Sequence, residues 1–247
     1  MVSKNLDWLK DIPFAHRGLY NEVIPENSMG SFRNAIKYGY GIELDVQYTK
    51  DKKIVVFHDN ELYRMTGYNG KVYDLTYLEI NKLTLLNTNE RIPLFKDVLN
   101  LIDERVPLLV EIKKSKEYIN LSEDVYNTLK DYKGKYAIQS FDPRVISWYK
   151  QHVDKVIRGQ LSFNFRDTCF KWYEKIALKD MIFNFYSKPD YICYGLRGIN
   201  SLQIKFLRKK KPIISWTIKN KNEMEFADKY SDNIIFEGFM PKKFKKG

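Results

Sequence analysis

The chain has 247 residues, 44% of them apolar and 30% charged, which supplies a core and a solvated surface and excludes a disordered or fibrous chain. Its net charge of +11 favours anionic partners: nucleic acid, acidic lipid or phosphate-bearing small molecules. No run of 18 apolar residues occurs and the first eleven residues lack the apolar segment of a secretory leader, so the expectation is a soluble, cytoplasmic protein.

Short β-rich runs alternate with longer polar-patterned stretches. The β-rich runs are 12–16, 42–47, 108–113, 136–141, 156–161, 191–194, 213–217 and 234–237. Helix-like segments fall at 29–38, 94–103, 121–130, 143–152, 168–179, 201–209 and 221–229. Asp142 before Pro143, and Asn220 before Lys221, are start signals for two of them. Parallel strands need a crossover between them, so this alternation predicts a parallel sheet. An open doubly wound sheet would carry a Gly-x-Gly-x-x-Gly turn after its first strand, and His16-Arg17-Gly18 stands there instead. The expectation is a closed (β/α)₈ barrel, with 1–247 as one catalytic domain.

One stretch breaks the rhythm. Residues 54–58 read as the return arm of a hairpin on the second strand, and about 59–92 as an insertion without clear helix or strand, capping the barrel mouth. A two-residue turn at Asp51-Lys52 would set Asp45 opposite His58. A slip of one residue would turn His58 to the other face. Cys169 and Cys193 have no metal-ligand spacing and read as reduced, partly buried thiols. The run Arg208-Lys209-Lys210-Lys211 and the lysine-rich tail from Lys242 to Lys246 read as solvated charge.

In a barrel of this kind the active site lies where strands end. Glu43 and Asp45 share one face of the second strand, and Glu111 and Lys113 one face of the third. Three carboxylates at one mouth repel one another unless something neutralises them, and a hard cation such as Mg²⁺ or Ca²⁺ does so. His16 and His58, two of only three histidines, end runs that reach the same mouth. Two imidazoles beside a metal suit phosphoryl chemistry, one taking a proton and one giving it. Arg17 and Lys113 would meet a phosphate as planar fork and point charge. His152, at a helix end, reads as structural.

These residues carry a resemblance. His16-Arg17-Gly18, Pro25-Glu26-Asn27-Ser28, Gly41-Ile42-Glu43-Leu44-Asp45-Val46-Gln47, and Val55-Val56-Phe57-His58-Asp59 with Leu62, Arg64 and Thr66 resemble the glycerophosphodiester phosphodiesterase family. Glu111-Ile112-Lys113, Gln139-Ser140-Phe141-Asp142 and Trp216-Thr217 extend the match over nearly the whole chain. The resemblance implies a (β/α)₈ barrel with an insertion after the second strand and His16 and His58 as the acid–base pair. It also implies Glu43, Asp45 and Glu111 as ligands of one divalent ion, and Arg17 and Lys113 as phosphate contacts, with Trp216 added on the substrate side. It further implies hydrolysis of glycerophosphodiesters to glycerol 3-phosphate and an alcohol, leaving attack by a neighbouring hydroxyl and direct attack by water both open. The chain departs from the family at Lys52, where Gly is common, and at Phe236-Glu237, where Thr-Asp is usual.

Two other functions compete. One is the same chemistry on a lysolipid at an anionic membrane surface, with the rings of Phe163, Phe165, Phe170, Trp172, Tyr173, Phe183, Phe185 and Tyr186 lining an entry slot rather than covering the barrel. The other is a binder of anionic ligands or nucleic acid without catalysis, disfavoured because carboxylates at the mouth repel a polyanion. Oligomeric state is not encoded legibly.

Overall fold

The computed structural model describes residues 4–164 and 181–242, which gather into two compact units. The first unit holds residues 14–136. It opens with β1 (Phe14–Ala15), paired in parallel with β2 (Gly41–Tyr48), which in turn pairs in parallel with β4 (Leu108–Ile112). Strand β1 is shorter than the expected 12–16. Pro13 has no N–H to pair, and Arg17 and Gly18 turn the chain away with φ of 55° and 79°. All eight residues of β2 are buried, so both of its faces are covered.

Helix α1 (Met29–Tyr38) falls where the pattern predicts it. Ser28 and Ser31 exchange hydrogen bonds as a capping box, and Gly39 at φ 71° ends the helix. The return arm β3 (Ile54–Val56) is antiparallel to β2, with Val46 opposite Val56 and Tyr48 opposite Ile54. Asp45 therefore faces Phe57, whose N–H donates to the Asp45 carbonyl at 3.0 Å, and the expected Asp45–His58 register is off by one residue. The loop has three residues, not two: Thr49 N–H bonds the Lys53 carbonyl, and Lys52 takes φ 58° inside the turn.

Stretch 59–92 is better ordered than its composition suggests. It contains two one-turn helices, α2 (Tyr63–Thr66) and α3 (Tyr77–Ile80), around a small core of its own. Leu62, Met65, Val72, Ile80, Leu85 and Ile92 pack there with Val55 and Phe57 of the return arm. Helix α4 (Phe95–Ile102) buries Phe95, Val98, Leu99 and Ile102, the one-sided spacing of an amphipathic helix. Helix α5 (Tyr118–Leu129) starts three residues before the expected 121.

The second unit holds residues before Phe14 and after Tyr136. Its strands β5 (Tyr136–Ser140), β6 (Ile157–Ser162), β7 (Tyr191–Gly195), β8 (Ile213–Ile218) and β9 (Asn233–Phe236) pair in parallel in chain order. Between them run α6 (Pro143–His152), α7 (Asn184–Ser187), α8 (Leu202–Arg208) and α9 (Lys221–Asp228). Asp142 and Asn220 cap α6 and α9 as expected. His152 stacks on Trp148 at the end of α6 and bonds the Trp148 carbonyl, a structural role.

Arg208 and Lys211 are not simply solvated. Arg208 ties Asp232 and the carbonyls of Lys229 and Ser231, and Lys211 donates to the Pro189 carbonyl. Cys193 is buried and in no disulfide. The predicted helix 168–179, Cys169, the rings of Phe165, Phe170, Trp172 and Tyr173, and the tail beyond Lys242 lie outside the described residues. Phe183, Phe185 and Tyr186 are exposed, Phe185 by 90%. Among the described residues no helix is long and apolar enough to cross a membrane. The strand series with intervening helices is of the (β/α)₈ barrel class, as the alternation predicts.

Candidate active site

The site is assembled within the first unit from the ends of β1, β2, β3 and β4. Alternation along β2 puts Glu43 and Asp45 on one face, and the parallel register sets Asp45 beside Glu111 of β4. All three carboxylates are buried, and each offers an oxygen within 4.8 Å of the others. Two oxygens on opposite sides of one calcium ion stand about 4.6–5.2 Å apart, so this spacing fits a single ion. The donor set is all oxygen, which suits Mg²⁺ or Ca²⁺ rather than zinc.

Lys113 and Arg17 face the cluster. Lys113 Nζ lies 2.8 Å from Glu111 Oε1 and 3.3 Å from Asp45 Oδ1. Arg17 Nε lies 3.6 Å from Asp45 Oδ2 and is buried without a hydrogen-bond partner. Burial opposes the charge on both cations, but Glu111 and Asp45 outweigh it at Lys113, and Asp45, Glu26 and Glu43 at Arg17, so both are held in their charged forms.

The carboxylates divide in response. Burial alone would push Asp45 up, yet Lys113, His58, Arg17 and a hydrogen bond from Asn27 hold it well below the usual carboxylate range. Glu43 goes the other way: burial first, then the charges of Asp45 and Glu111, push it well above that range, against the Arg17 N–H and the Arg17 charge. Two protein cations do not fully compensate the cluster, and a dication would.

The turn after β1 holds this arrangement. Arg17 N–H donates to Glu43 Oε2 at 3.1 Å, while the Arg17 carbonyl accepts the Asn27 N–H and the Ser31 hydroxyl. A Cβ on Gly18 would stand 2.3 Å from Ser31 Oγ, so only glycine fits there. His16 precedes this turn directly and is half-buried.

His58 follows β3 after Phe57, and its Nδ1 lies 2.6 Å from Asp59 Oδ1. The register slip does not carry it away, because regular alternation ends with β3 at Val56; its charge is felt at Asp45. Trp216 belongs to the second unit. There its indole N–H donates to the Cys193 carbonyl at 3.2 Å, and its ring meets Phe141 and Phe163 edge-on.

Four contributors carry no role in the sequence reading. Asn27, at φ 49°, donates from Nδ2 to Asp45 Oδ2 at 2.9 Å. Glu26 accepts from Arg17 Nη1 at 2.7 Å, and Arg64 and Asp59 continue the chain of contacts. The signal for Asn27 was its position directly before a strong cap, Ser28, in a residue type that tolerates left-handed backbone.

Comparison with known proteins first fixes the fold. An Oleispira antarctica phosphodiesterase, solved with the product sn-glycerol-3-phosphate, superposes with a TM-score of 0.76 at 19% identity, covering 92% of this chain and 93% of that one. The match with a glycerophosphodiester phosphodiesterase of Caldanaerobacter subterraneus subsp. tengcongensis is 37% identical over 147 residues, 56% of this chain and 57% of the relative. A lysophospholipase D of Rattus norvegicus is 36% identical over 132 residues, 48% of this chain and 41% of the relative. The protein is thus a barrel enzyme of the phosphoric diester hydrolase class. The model of the glycerophosphoryl diester phosphodiesterase family matches residues 16–236, and the chain belongs to that family.

Proposed function

We propose that this chain, as one catalytic domain, hydrolyses glycerophosphodiesters to glycerol 3-phosphate and an alcohol, with Glu43, Asp45 and Glu111 holding one Mg²⁺ or Ca²⁺ and His16 and His58 as the acid–base pair. The observation that carries this reading is the buried triad of carboxylates, mutually within 4.8 Å and flanked by Arg17 and Lys113. A dication held by these three residues would supply Lewis-acid polarisation of a phosphoryl oxygen and offset negative charge there. The buried Arg17 Nε donor is available to an oxygen of the diester, and the Lys113 ammonium adds a second positive charge beside it. His58, with Nδ1 on Asp59, presents Nε2 as the nitrogen that moves a proton. His16, on the opposite flank of Arg17 in sequence, is its counterpart. The three carboxylates disfavour the non-catalytic reading as a binder of nucleic acid.

The test is diester hydrolysis by purified protein in EDTA, then with Mg²⁺ or Ca²⁺ restored, beside His16→Ala. Activity is expected to vanish with chelation and return with metal, and to fall at least ~10²-fold in the variant. Hydrolysis indifferent to EDTA would sink the metal assignment.

A second reading, lysophospholipase D activity at an anionic membrane surface, draws on the relative from Rattus norvegicus and on the exposed Ile182, Phe183, Phe185 and Tyr186. Turnover of glycerophosphocholine against lysophosphatidylcholine decides between them.

A further inference from the structure

Strand β3 ends at Val56, so sheet alternation does not aim His58. The backbone on either side is pinned: Gln47 Nε2 donates to the Phe57 carbonyl at 2.7 Å and to the Asp59 carbonyl at 2.9 Å. The ring itself still needs an anchor. It has one in Asp59, whose Oδ1 meets His58 Nδ1 at 2.6 Å while Oδ2 accepts from Arg64 Nε, also at 2.6 Å.

Arg64 then reaches Glu26 with both terminal nitrogens, at 2.6 and 3.1 Å, and Glu26 Oε1 takes Arg17 Nη1 at 2.7 Å. Charges alternate along the whole line: His58, Asp59⁻, Arg64⁺, Glu26⁻, Arg17⁺. A planar fork bridging two carboxylates fixes angles as well as distances, which a lysine cannot do. Arg64 is carried by α2, whose neighbours Leu62 and Met65 are buried in the small core of stretch 59–92. The insertion therefore contributes to the site.

We propose that Asp59 and Arg64 are positioning residues for the reaction: Asp59 holds the His58 tautomer and ring plane, and Arg64 locks Asp59 to the Glu26–Arg17 pair so that the proton-transfer group and the phosphate-facing cation share one frame. This rests on the proposed role of His58. The alternative is a half-exposed surface ion pair, and such pairs contribute little to folding and nothing to turnover.

The two readings separate in kinetics. In the full chain with Mg²⁺ and glycerophosphocholine, Arg64→Ala should lower kcat by ~10–100-fold, the range of an orienting partner, with KM within about twofold and little change in Tm. Arg64→Lys should recover only part of that loss. Free guanidinium at millimolar concentration should partly restore kcat in Arg64→Ala and not in Asp59→Asn. Asp59→Asn should fall by a similar factor, and the double variant should be no worse than the poorer single one, because both act on one ring. A kcat within twofold of the parent in Arg64→Ala and Arg64→Lys, or losses that multiply in the double variant, would overturn the proposal. His58→Ala serves as the control on the underlying reading. If it keeps full activity, that reading fails too, whereas an inactive His58→Ala beside a fully active Arg64→Ala removes the positioning role alone.

Discussion

Strands β2 and β6 look alike on paper. Each carries three polar side chains at alternate positions, Glu43, Asp45 and Gln47 on one and Arg158, Gln160 and Ser162 on the other, and all six are buried. Both strands keep a buried atom without a hydrogen-bond partner, Arg17 Nε against β2 and Arg158 Nε and Gln160 Oε1 on β6, so they differ in how their charges are balanced. Arg158 is met by Asp154 at 3.2 Å and Asp190 at 3.6 Å, and its own N–H bonds Asp190. The Gln160 amide donates to the carbonyls of Ser140, Phe141 and Leu161. Around β2 the carboxylates outnumber the cations that touch them, and Glu43 is left under strain from Asp45 and Glu111. Charges balanced by their neighbours hold a fold together. Like charges left crowded together wait for a ligand of the opposite sign.

That contrast can be broken at its strongest point. Asp45→Asn keeps the shape of β2 but removes the carboxylate that lies against both Lys113 and Arg17. Activity should fall at least ~10²-fold, and titration calorimetry should show metal affinity lost, with the fold intact by circular dichroism. Unchanged affinity would mean the triad is not the ion's site.

The matching change on β6 should do the opposite. Arg158→Met leaves the Asp190 carboxylate with Lys4, at 2.6 Å, as its cation and with the backbone N–H of position 158. Denaturant unfolding should show a loss of ~2–4 kcal/mol, while kcat per folded molecule stays as it was. A selective loss of kcat would erase the distinction between the strands.

The smallest effect concerns Glu43. Its carboxyl is raised in the folded state, so between the ordinary carboxylate range and that raised value the native protein holds a proton the unfolded chain has released. Stability of the metal-free protein is then lost as pH rises through that window. Glu43→Gln should therefore raise Tm in EDTA by at least ~2 °C, and the advantage should disappear in saturating Mg²⁺ or Ca²⁺, which stabilises only the parent. A lower Tm in EDTA would show that the Glu43 charge is already compensated.

Much of this was legible from residue order. Alternation along β2 placed Glu43 and Asp45 together, and cap signals placed Pro143–His152 and Lys221–Asp228 at their starts. The hairpin register was not legible, because a lysine at the left-handed position conceals a three-residue turn that Gly would have announced. Stretch 59–92 hid its order because one-turn helices are too short to show a period; their stability comes from the core they share with Val55 and Phe57. Asn27 and Arg64 stood inside motifs already singled out. Their roles depend on partners 18 and 38 residues away, which no local pattern reports.

The twist at Arg17 and Gly18 has one more consequence, for where this enzyme is free to vary. The backbone of one residue, Arg17, is committed three ways, its N–H to Glu43 and its carbonyl to Asn27 and Ser31, so residues 16–18 and 27–31 form a knot that an insertion would untie. The intervening lobe is tied differently: Asn21 closes it on itself by accepting from Val23 and Ile24, and Val23 points outward. Length and side chains at the outward tip of that lobe, around Val23, can drift while the knot stays tied.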